Sequence, residues 1–413
     1  MGGRKIKKSI STPSTSTFSS PSPLFCIIAG EPSGDLLGCF LMRALKQIFP
    51  DVQFEGVGGP LMCEEGMKSL FPMEELTVMG VMEVLPKAFN VLRKVKEVAR
   101  YVLQTEPDAL ITIDAPAFSF RVGRALRTLE KTKKKPPLPH IHYGAPTVWA
   151  WRPKRAEKIS KFLTHLLTLF DFEPPYFLKE GLPTTFVGHP ILEGGYDQGD
   201  AQRMREGYSI PKTLPLICVL PGSRVGEVLK LLPVFLETFQ KLSLKIPEFG
   251  VVLPTLPFLK PLIEKILQKT PGNFPIWVIA GENTKKDAFA AAQIALAASG
   301  TVALELAAAN VPMVISYKTS WFTAFIVRRL IKIPYVSMPN ILLKKHVVPE
   351  FIQETCQSDL LCAALENLFK NKKLQKEQKE AFKLVRQKIS PSSSKNPSLV
   401  AAEVIRDCLE NRS

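Results

Sequence analysis

The sequence lacks the features of a membrane-spanning, disulfide-stabilised or disordered chain. No run of about 18 or more uncharged apolar residues occurs among its 413 residues, so no spanning helix is expected. The seven cysteines are an odd number and form no CxxC pair, which predicts free thiols without a disulfide framework or a zinc site. With 46% hydrophobic and 22% charged residues, the composition is that of a globular protein of two or three domains.

Acidic residues are scarce beside basic ones. The chain has 54 Lys and Arg against 38 Asp and Glu, which gives a formal net charge of +16. This excess favours a polyanionic partner, such as an anionic membrane face or a phosphorylated ligand, although solvated lysine-rich faces would give the same count. No signature of an RNA- or DNA-binding module accompanies it, so nucleic acid is not predicted as a partner.

Two motifs that bind nucleotides or metals are also missing. Neither GxGxxG nor DxD occurs, so a dinucleotide and a metal-bridged diphosphate are both disfavoured, and we expect no cofactor and no metal. His140 and His142 alternate along a strand-like run, but no acids or cysteines accompany them at ligand spacing. A metal site is therefore not predicted there.

What the sequence does contain is a repeated strand–turn–helix unit. An apolar strand at 25–29 enters a glycine-containing turn at 30–35, a second strand at 216–220 enters a turn at 221–224, and a periodic helix follows each turn. Such units place backbone N–H groups and a positive helix end at the mouth of a parallel sheet, where anions bind. We therefore predict an α/β protein of two Rossmann-like, doubly wound parallel-sheet domains that face a cleft.

Changes of composition mark the boundaries of these two halves. The basic, Ser/Thr/Pro-rich start is interpreted as a disordered tail, with an organellar transit peptide as the alternative. The predicted divisions are a tail (1–23), an N-terminal domain (24–192), a Gly/Asp/Gln-rich linker (193–213), a C-terminal domain (214–350) and C-terminal helices (351–413), which could pack back on the N-terminal domain. Within the second half we predict strands at 216–220, 249–253, 276–280, 294–298 and 312–317, and helices at 227–242, 258–268, 284–292, 301–309 and 360–389.

The turn after the second-half strand has the residues of a phosphate site. Gly222 lets the backbone approach a phosphate, and Ser223 can cap the following helix. Arg224 offers a fork of N–H groups that suits a pyrophosphate. An ordinary βα turn could carry the same three residues.

A second cluster lies at 299–305. Ser299, Gly300 and Thr301 open a helix whose free N–H groups point at the strand edge. Glu305 lies one turn further along, where its carboxylate can accept hydrogen bonds from a ribose diol. A solvated carboxylate is the alternative, but the flanking residues of this helix are alanine and leucine, which favours a functional charge.

The first half carries acids at its strand ends. Glu31, Ser33 and Asp35 occupy the turn where a dinucleotide pyrophosphate would otherwise approach, and they suit sugar hydroxyls better. Asp114 follows the apolar strand 109–113, so it is predicted to lie at the carboxyl edge of the sheet and to face the cleft. A turn-capping aspartate is the alternative for this position.

One segment has the composition of a membrane-contacting surface. Residues 78–103 interleave large apolar side chains with lysine and arginine, as expected for a surface that rests on anionic lipid, although a core-packed amphipathic helix has the same pattern. A second aromatic–basic patch runs from Trp149 through Trp151 to Lys158.

Several of these motifs coincide, in order, with those of one family. They are 28–35, 78–80, 113–116, 142–143, 148–152, 220–224, 299–301, Glu305 and 337–340. Together they make the chain resemble lipid-A-disaccharide synthase over nearly everything after residue 24. The resemblance implies a GT-B glycosyltransferase fold, with the acceptor bound by the N-terminal domain and the UDP-sugar by the C-terminal domain.

The resemblance also implies site residues and partners. Asp114 is the implied catalytic base. Peripheral association with the cytoplasmic face of the inner membrane is implied as well, and the oligomeric state is left open. The implied acceptor-binding residues are Glu31, Ser33, Gly34, Asp35 and Met79, and the implied residues around the sugar donor are Gly222, Ser223, Arg224, Ser299, Gly300, Thr301, Glu305, Phe322 and Asn340.

The implied reaction joins UDP-2,3-diacylglucosamine to 2,3-diacylglucosamine 1-phosphate (lipid X) and releases UDP. An α-linked donor that gives a β-1′,6-linked product requires inversion, for which one direct displacement with a general base suffices. Two other functions remain open at this stage. A UDP-sugar 2-epimerase can share the fold and needs no acceptor, and a non-enzymatic lipid-binding protein would keep only the basic–apolar surface.

Overall fold

Two all-parallel β-sheets organise the chain. The computed structural model describes residues 22–77, 84–150, 152–319 and 334–410. Within them, a seven-stranded sheet forms the N-terminal domain and a six-stranded sheet the C-terminal domain. The predicted pair of doubly wound domains is confirmed.

The N-terminal sheet has the strand order β3-β2-β1-β4-β5-β6-β7. Its strands are β1 (Leu24–Ala29), β2 (Gln53–Val57), β3 (Lys68–Ser69), β4 (Ala109–Ile113), β5 (His140–Tyr143), β6 (His165–Thr168) and β7 (Thr184–Phe186). Its helices are α1 (Pro32–Ile48), α2 (Pro60–Glu64), α3 (Glu74–Thr77), α4 (Val84–Thr105), α5 (Pro116–Lys133), α6 (Arg155–Ser160) and α7 (Pro175–Leu178).

The C-terminal sheet has the order β10-β9-β8-β11-β12-β13. Its strands are β8 (Leu216–Leu220), β9 (Gly250–Thr255), β10 (Ile276–Ala280), β11 (Ile294–Ala298), β12 (Met313–Tyr317) and β13 (Glu350–Ile352). The helices of this half are α8 (Ala201–Gly207), α9 (Val225–Ser243), α10 (Lys260–Lys269), α11 (Glu282–Ala291), α12 (Val302–Ala308), α13 (Met338–Leu343), α14 (Ser358–Lys370), α15 (Lys372–Ile389) and α16 (Pro397–Glu410).

The central strands β1 and β8 are apolar throughout because helices cover both faces of each sheet. Side chains alternate between faces along a strand. In β1, Phe25 and Ile27 pack into one cluster with α1 and α16, whereas Cys26 and Ile28 pack into another with α4 and α5. The same alternation divides β8, which is completely buried, between two clusters.

The predicted helix 360–389 is in fact two helices. Asn371 ends α14 and begins α15, with extended backbone angles and a side chain that accepts a hydrogen bond from the N–H of Leu374 at 3.1 Å. An asparagine that caps a helix start offers the backbone a better partner than continued helix would. The apolar period runs across this break, which is why the pattern alone did not reveal it.

Along the described residues, the chain crosses between the domains twice. It passes first through a 3₁₀ turn at Pro190–Glu193 and returns after α15, and the N–H of His189 donates to the carbonyl of Ile389 at 2.8 Å. The last helix, α16, then packs its Ala401, Ala402 and Ile405 into the core of the N-terminal domain beside α1. No helix among the described residues is long and apolar enough to cross a membrane.

All seven cysteines are free thiols. Burial, with a further contribution from Glu55, raises the pKa of Cys26 to about 12, so this thiol is inert at neutral pH. Cys63 differs because it is exposed. The thiols are therefore not uniformly buried, since Cys63 lies on the outer side of the short helix α2.

Candidate functional site

The two glycine-containing turns meet across the cleft between the domains. The carboxyl end of β1 leads to Glu31 and that of β8 leads to Arg224. Arg224 Nη2 lies 3.2 Å from Glu31 Oε2, with side chains that are 68% and 42% exposed. The candidate site therefore lies between the domains, where the strand ends of both sheets meet.

Asp114 lies beside this contact, on a turn of unusual backbone conformation. Asp114 and Ala115 have φ values of 46° and 41°, a left-handed region that costs such residues about 1–3 kcal/mol each. The Asp114 N–H donates to the carbonyl of Tyr143 at 2.9 Å, and Ser33 Oγ lies 3.5 Å from Asp114 Oδ2. A Cβ on Gly30 would lie only 2.8 Å from Ala115 Cβ, so glycine lets the two turns approach.

The Asp114 carboxyl has an increased affinity for a proton. Burial and then the Glu31 carboxylate raise the pKa of Asp114, against the lowering effects of backbone and Ser33 hydrogen bonds and of the Arg224 charge. A carboxylate in such surroundings is a better general base than an exposed one. Asp114 therefore has the position and the chemistry of a base.

The other acids of the first turn divide into two groups. Glu31 and Ser33 face the Asp114 side. Asp35 is buried, and its carboxylate accepts hydrogen bonds from the N–H groups of Gly59, Leu61 and Met62 at 2.9–3.1 Å. It caps α2 and so has a structural task, which leaves its predicted acceptor contact without geometric support. Gly34 packs beneath β1, where a Cβ would lie 3.3 Å from that of Ala29.

A glutamate that the sequence did not single out organises the turn after β8. Glu227 Oε2 accepts a hydrogen bond from the N–H of Ser223 at 3.1 Å, and Glu227 Oε1 lies 3.6 Å from Arg224 Nη1 and 3.5 Å from Tyr317 Oη. Gly222 has a φ of 117°, and a Cβ there would meet Glu227 at 2.5 Å. Ser223 does not cap α9, which begins at Val225 with no side-chain cap. That expectation was wrong because Glu227 holds the turn from within the helix.

The cluster at 299–305 has the predicted order. Ser299 Oγ donates to the carbonyl of Val336 at 3.4 Å, Gly300 and Thr301 are exposed, and α12 begins directly after them. A backbone with exposed N–H groups is thus available at this strand end.

Glu305 is paired within the domain. Its Oε2 lies 2.7 Å from Lys285 Nζ, and both side chains are largely buried, with 12% and 18% exposed. Lys285 Nζ lies 5.4 Å over the ring of Tyr196. Burial lowers the pKa of Lys285, but the carboxylates of Glu305 and Glu282 outweigh this effect and raise it above its ordinary value. Lys285 comes from α11, twenty residues before its partner, and no local pattern marks it.

Asn340 is completely buried, and all of its amide groups are used. Its Oδ1 accepts from the N–H groups of Val347 and Val348 at 2.8 and 2.9 Å, and its Nδ2 donates to Glu350 Oε1 and to the Val348 carbonyl, each at 2.8 Å. It therefore fixes the segment that lies next to the Ser299 turn. Direct contact with a sugar donor stays a prediction. Phe322 and Met79 lie outside the described residues, as does Trp151.

A buried glutamate anchors the loop that follows β5. Trp149 Nε1 donates to Glu173 Oε1 at 3.2 Å, and the N–H of Phe170 donates to Glu173 Oε2 at 3.3 Å. The Glu173 residue is 1% exposed, and burial raises its pKa to about 8.

The two alternating histidines are structural. Thr112 Oγ1 lies 2.9 Å from His140 Nε2 and 2.8 Å from His142 Nδ1, and both rings are completely buried. Burial lowers the pKa of His142 to about 3, so the ring is neutral. Nowhere in the described ranges do three or more His, Cys, Asp or Glu side chains gather as metal ligands would.

The segment proposed to contact a membrane is only partly described. Residues 78–83 lie outside the described residues. In the later half of α4, Val95, Val98 and Val102 are buried in the core. This part of the segment therefore follows the alternative interpretation, a core-packed amphipathic helix. The outer face of α4 nevertheless exposes Leu92, 50% accessible, together with Arg93, Lys96 and Arg100.

Comparisons with known proteins agree with this arrangement. A family profile described as lipid-A-disaccharide synthetase matches residues 25–404. The lipid-A-disaccharide synthase of Rhodospirillum centenum is 45% identical over 390 residues, which is 94% of this chain and 95% of that protein. The enzyme of the same name from Gluconobacter oxydans is 40% identical over 92% of this chain and 89% of its own length.

Solved structures share the fold at low identity. An S. aureus MnaA–UDP co-structure has a TM-score of 0.63 at 14% identity, over 94% of this chain and 96% of that one. Acinetobacter baumannii MurG has a TM-score of 0.55 at 15% identity, over 93% and 99%. A Neisseria meningitidis UDP-GlcNAc 2-epimerase bound to UDP-GlcNAc has a TM-score of 0.61 at 12% identity, over 94% and 100%. The fold is GT-B.

Proposed function

The chain belongs to the lipid-A-disaccharide synthase family, and we propose how its residues divide the work of that reaction. Its function is that of a GT-B glycosyltransferase that forms the lipid A disaccharide. The proposed substrates are UDP-2,3-diacylglucosamine as sugar donor and 2,3-diacylglucosamine 1-phosphate as acceptor. Solved structures of the same fold that hold UDP or UDP-GlcNAc support a UDP-sugar as the donor.

Asp114 acts as the general base. Its carboxylate accepts the proton of the acceptor 6-hydroxyl as that oxygen forms a bond to C1 of the donor sugar. The bond from C1 to the UDP oxygen breaks in the same displacement, and UDP leaves with the electron pair. The increased proton affinity of Asp114, caused by burial and Glu31, supports this assignment.

The leaving diphosphate is stabilised from the C-terminal domain. Arg224 provides a guanidinium fork at the end of β8, and the exposed backbone at Gly300 and Thr301 adds N–H groups. Glu305, held in place by Lys285, accepts from the ribose hydroxyls. No step needs a metal. The main support for this proposal is one contact across the cleft, in which Arg224 Nη2 lies 3.2 Å from Glu31 Oε2. Because Glu31 is next to Asp114, this contact places the proposed diphosphate site close to the proposed base.

Membrane association is the remaining part of the proposal. Both substrates are acylated, so the acceptor side of the cleft must open toward lipid at the cytoplasmic face of the inner membrane. Leu92 with the basic residues of α4 supports a contact on this side. Replacing Arg93, Lys96 and Arg100 by Gln should weaken sedimentation with anionic vesicles, at about 1 kcal/mol per charge. Unchanged sedimentation would move the membrane face elsewhere.

The deciding experiment follows UDP release from UDP-2,3-diacylglucosamine with and without lipid X. The proposed reaction releases UDP only when both substrates are present and gives a disaccharide 1-phosphate. A 2-epimerase would convert the donor without acceptor, and a lipid-binding protein would turn over neither. Either of these results would refute the proposal.

A further inference from the structure

Two arginines of the N-terminal domain rest on a pair of packed aromatic rings. The guanidinium of Arg155 lies 5.2 Å from the ring centre of Phe120, and that of Arg124 lies 5.5 Å from the ring centre of Phe162. The two rings pack edge to face with centroids 5.7 Å apart. Stacking on rings leaves the N–H edges of a guanidinium free to bind an anion.

These arginines have no carboxylate partner. Among the described residues, no acidic side chain forms an ion pair with Arg124 or Arg155. Arg127, one turn further along α5, shows the usual arrangement: its Nη1 lies 2.8 Å from Glu130 Oε2 and its Nε donates to the carbonyl of Phe162. An ion pair therefore accounts for the charge of Arg127, whereas no ion pair in the described part of the chain accounts for the charges of Arg124 and Arg155.

A third arginine adds to the cluster. The N–H of Arg155 donates to the carbonyl of Arg152 at 2.9 Å. Burial, and then the charges of Arg152 and Arg124, lower the pKa of the Arg155 guanidinium. The guanidinium groups of Arg152 and Arg124 are therefore close enough to repel that of Arg155, as expected where an anionic ligand offsets the repulsion.

The cluster is carried by helix α5 and the segment that follows β5, two elements of the N-terminal domain that also adjoin the base. Helix α5, which carries Arg124, begins two residues after Asp114, and its side chains lean toward that end of the helix. The loop that leads to Arg152 starts at Gly144, where a Cβ would lie 3.8 Å from the Asp114 backbone nitrogen. Trp149 and Glu173 hold this loop in place.

We propose that Arg124, Arg152 and Arg155 bind the phosphate monoester of the acceptor. This inference rests on the proposed function, in which the acceptor carries a 1-phosphate and presents its 6-hydroxyl to Asp114. C1 carries the phosphate and C5 carries C6 with its hydroxyl, and both carbons flank the ring oxygen, so an anion site within one sugar's length of the base would orient the acceptor. Arg224 remains with the diphosphate of the sugar donor, so each domain has its own anion site.

The test compares lipid X with its dephosphorylated analogue, 2,3-diacylglucosamine, as acceptor. The wild type should prefer lipid X in kcat/KM. In the Arg124→Gln/Arg155→Gln variant the kcat/KM for lipid X should fall roughly 10- to 100-fold, with kcat/KM for the dephosphorylated acceptor and KM for the UDP-sugar nearly unchanged. Lys131→Gln is the matched control, because it removes the same charge from the same helix face about 10 Å further from Asp114.

A variant that keeps its preference for lipid X would overturn the inference. Because Arg155 is half-buried, the single variant Arg124→Gln, at an exposed position, provides the same comparison if the double variant does not fold. Sedimentation with phosphatidylglycerol vesicles separates a bilayer phosphate from the acceptor phosphate: loss of vesicle binding with the acceptor preference intact would also overturn the inference.

The proposed function can fail separately. If the wild type releases no UDP with either acceptor, the proposed function is refuted, and calorimetry with glucosamine 1-phosphate then decides the anion site by itself. Binding by the wild type that disappears in Arg124→Gln supports the site, and equal binding by the two proteins refutes it.

Discussion

Glu173 should make the N-terminal domain less stable as the pH rises. Folding raises the pKa of this buried carboxyl from 4.5 to about 8. The folded chain therefore holds the proton more tightly than the unfolded chain, so the free energy of unfolding falls with pH between these two values and levels off above the higher one. At about 1.4 kcal/mol per pH unit, roughly 3 kcal/mol should be lost between pH 6 and pH 9.

The Glu173→Gln variant removes this titration and retains the shape of the side chain. It loses one of the two accepted hydrogen bonds, which lowers its stability at every pH alike. The informative quantity is therefore the difference between the two proteins as a function of pH. Measured by thermal unfolding, the wild-type Tm should fall roughly 5–10 °C more than that of the variant between pH 6 and pH 9.

Glu157→Gln is the control for this measurement. Glu157 is an exposed carboxylate on α6 that pairs with Lys161 at 3.0 Å, and this partner lowers its pKa, so its replacement should leave the alkaline part of the curve unchanged. A Tm difference between wild type and Glu173→Gln that does not vary from pH 6 to pH 9 would refute the reasoning. The carboxyl would then be ionised in the folded protein already at pH 6.

Three further outcomes are expected. Asp114→Asn should bind UDP as the wild type does, with turnover reduced roughly 10²–10⁴-fold, and near-normal turnover would move the base to another residue. Its Tm at pH 7 should equal or exceed the wild-type value, because the buried charge is gone. Asp35→Ala should lower the free energy of unfolding by about 1–2 kcal/mol, and with it the Tm, because α2 loses its cap. A variant whose Tm is unchanged and whose acceptor KM alone rises would instead restore the predicted acceptor contact of Asp35. Activity should persist in EDTA, and a restorable requirement for Mg²⁺ would contradict the account of the leaving group.

The elements of the fold could be predicted because their signals are local. Strands β8, β10 and β11 occupy the predicted residues 216–220, 276–280 and 294–298, since each is a short buried run bounded by turn residues. The site turns could be predicted for the same reason, because residues that follow parallel strands collect at one edge of a sheet. The break at Asn371 escaped this logic, as a cap does not interrupt an apolar period. The short helix α8, inside the predicted linker, and the three-residue strand β13 escaped it as well.

The partners of the site residues could not be predicted, because they come from distant parts of the chain. Glu31 and Arg224 are separated by 193 positions, and Lys285 reaches Glu305 from a neighbouring helix. The local sequence does not distinguish a carboxylate whose oxygens accept backbone hydrogen bonds, such as that of Asp35, from one that is open to a ligand, such as that of Glu31. That distinction depends on which backbone N–H groups the folded chain brings within hydrogen-bonding distance.

The contact across the cleft also connects substrate binding with the strength of the base. In the structure, Arg224 lowers and Glu31 raises the pKa of Asp114. A diphosphate that binds Arg224 must compete with Glu31 for the same guanidinium, and it adds negative charge beside the base. In the proposed reaction, the affinity of Asp114 for a proton would therefore increase when the sugar donor arrives, which is the moment at which the acceptor hydroxyl has to give its proton away. The proposed coupling rests on one exposed ion pair, to which each domain contributes one residue.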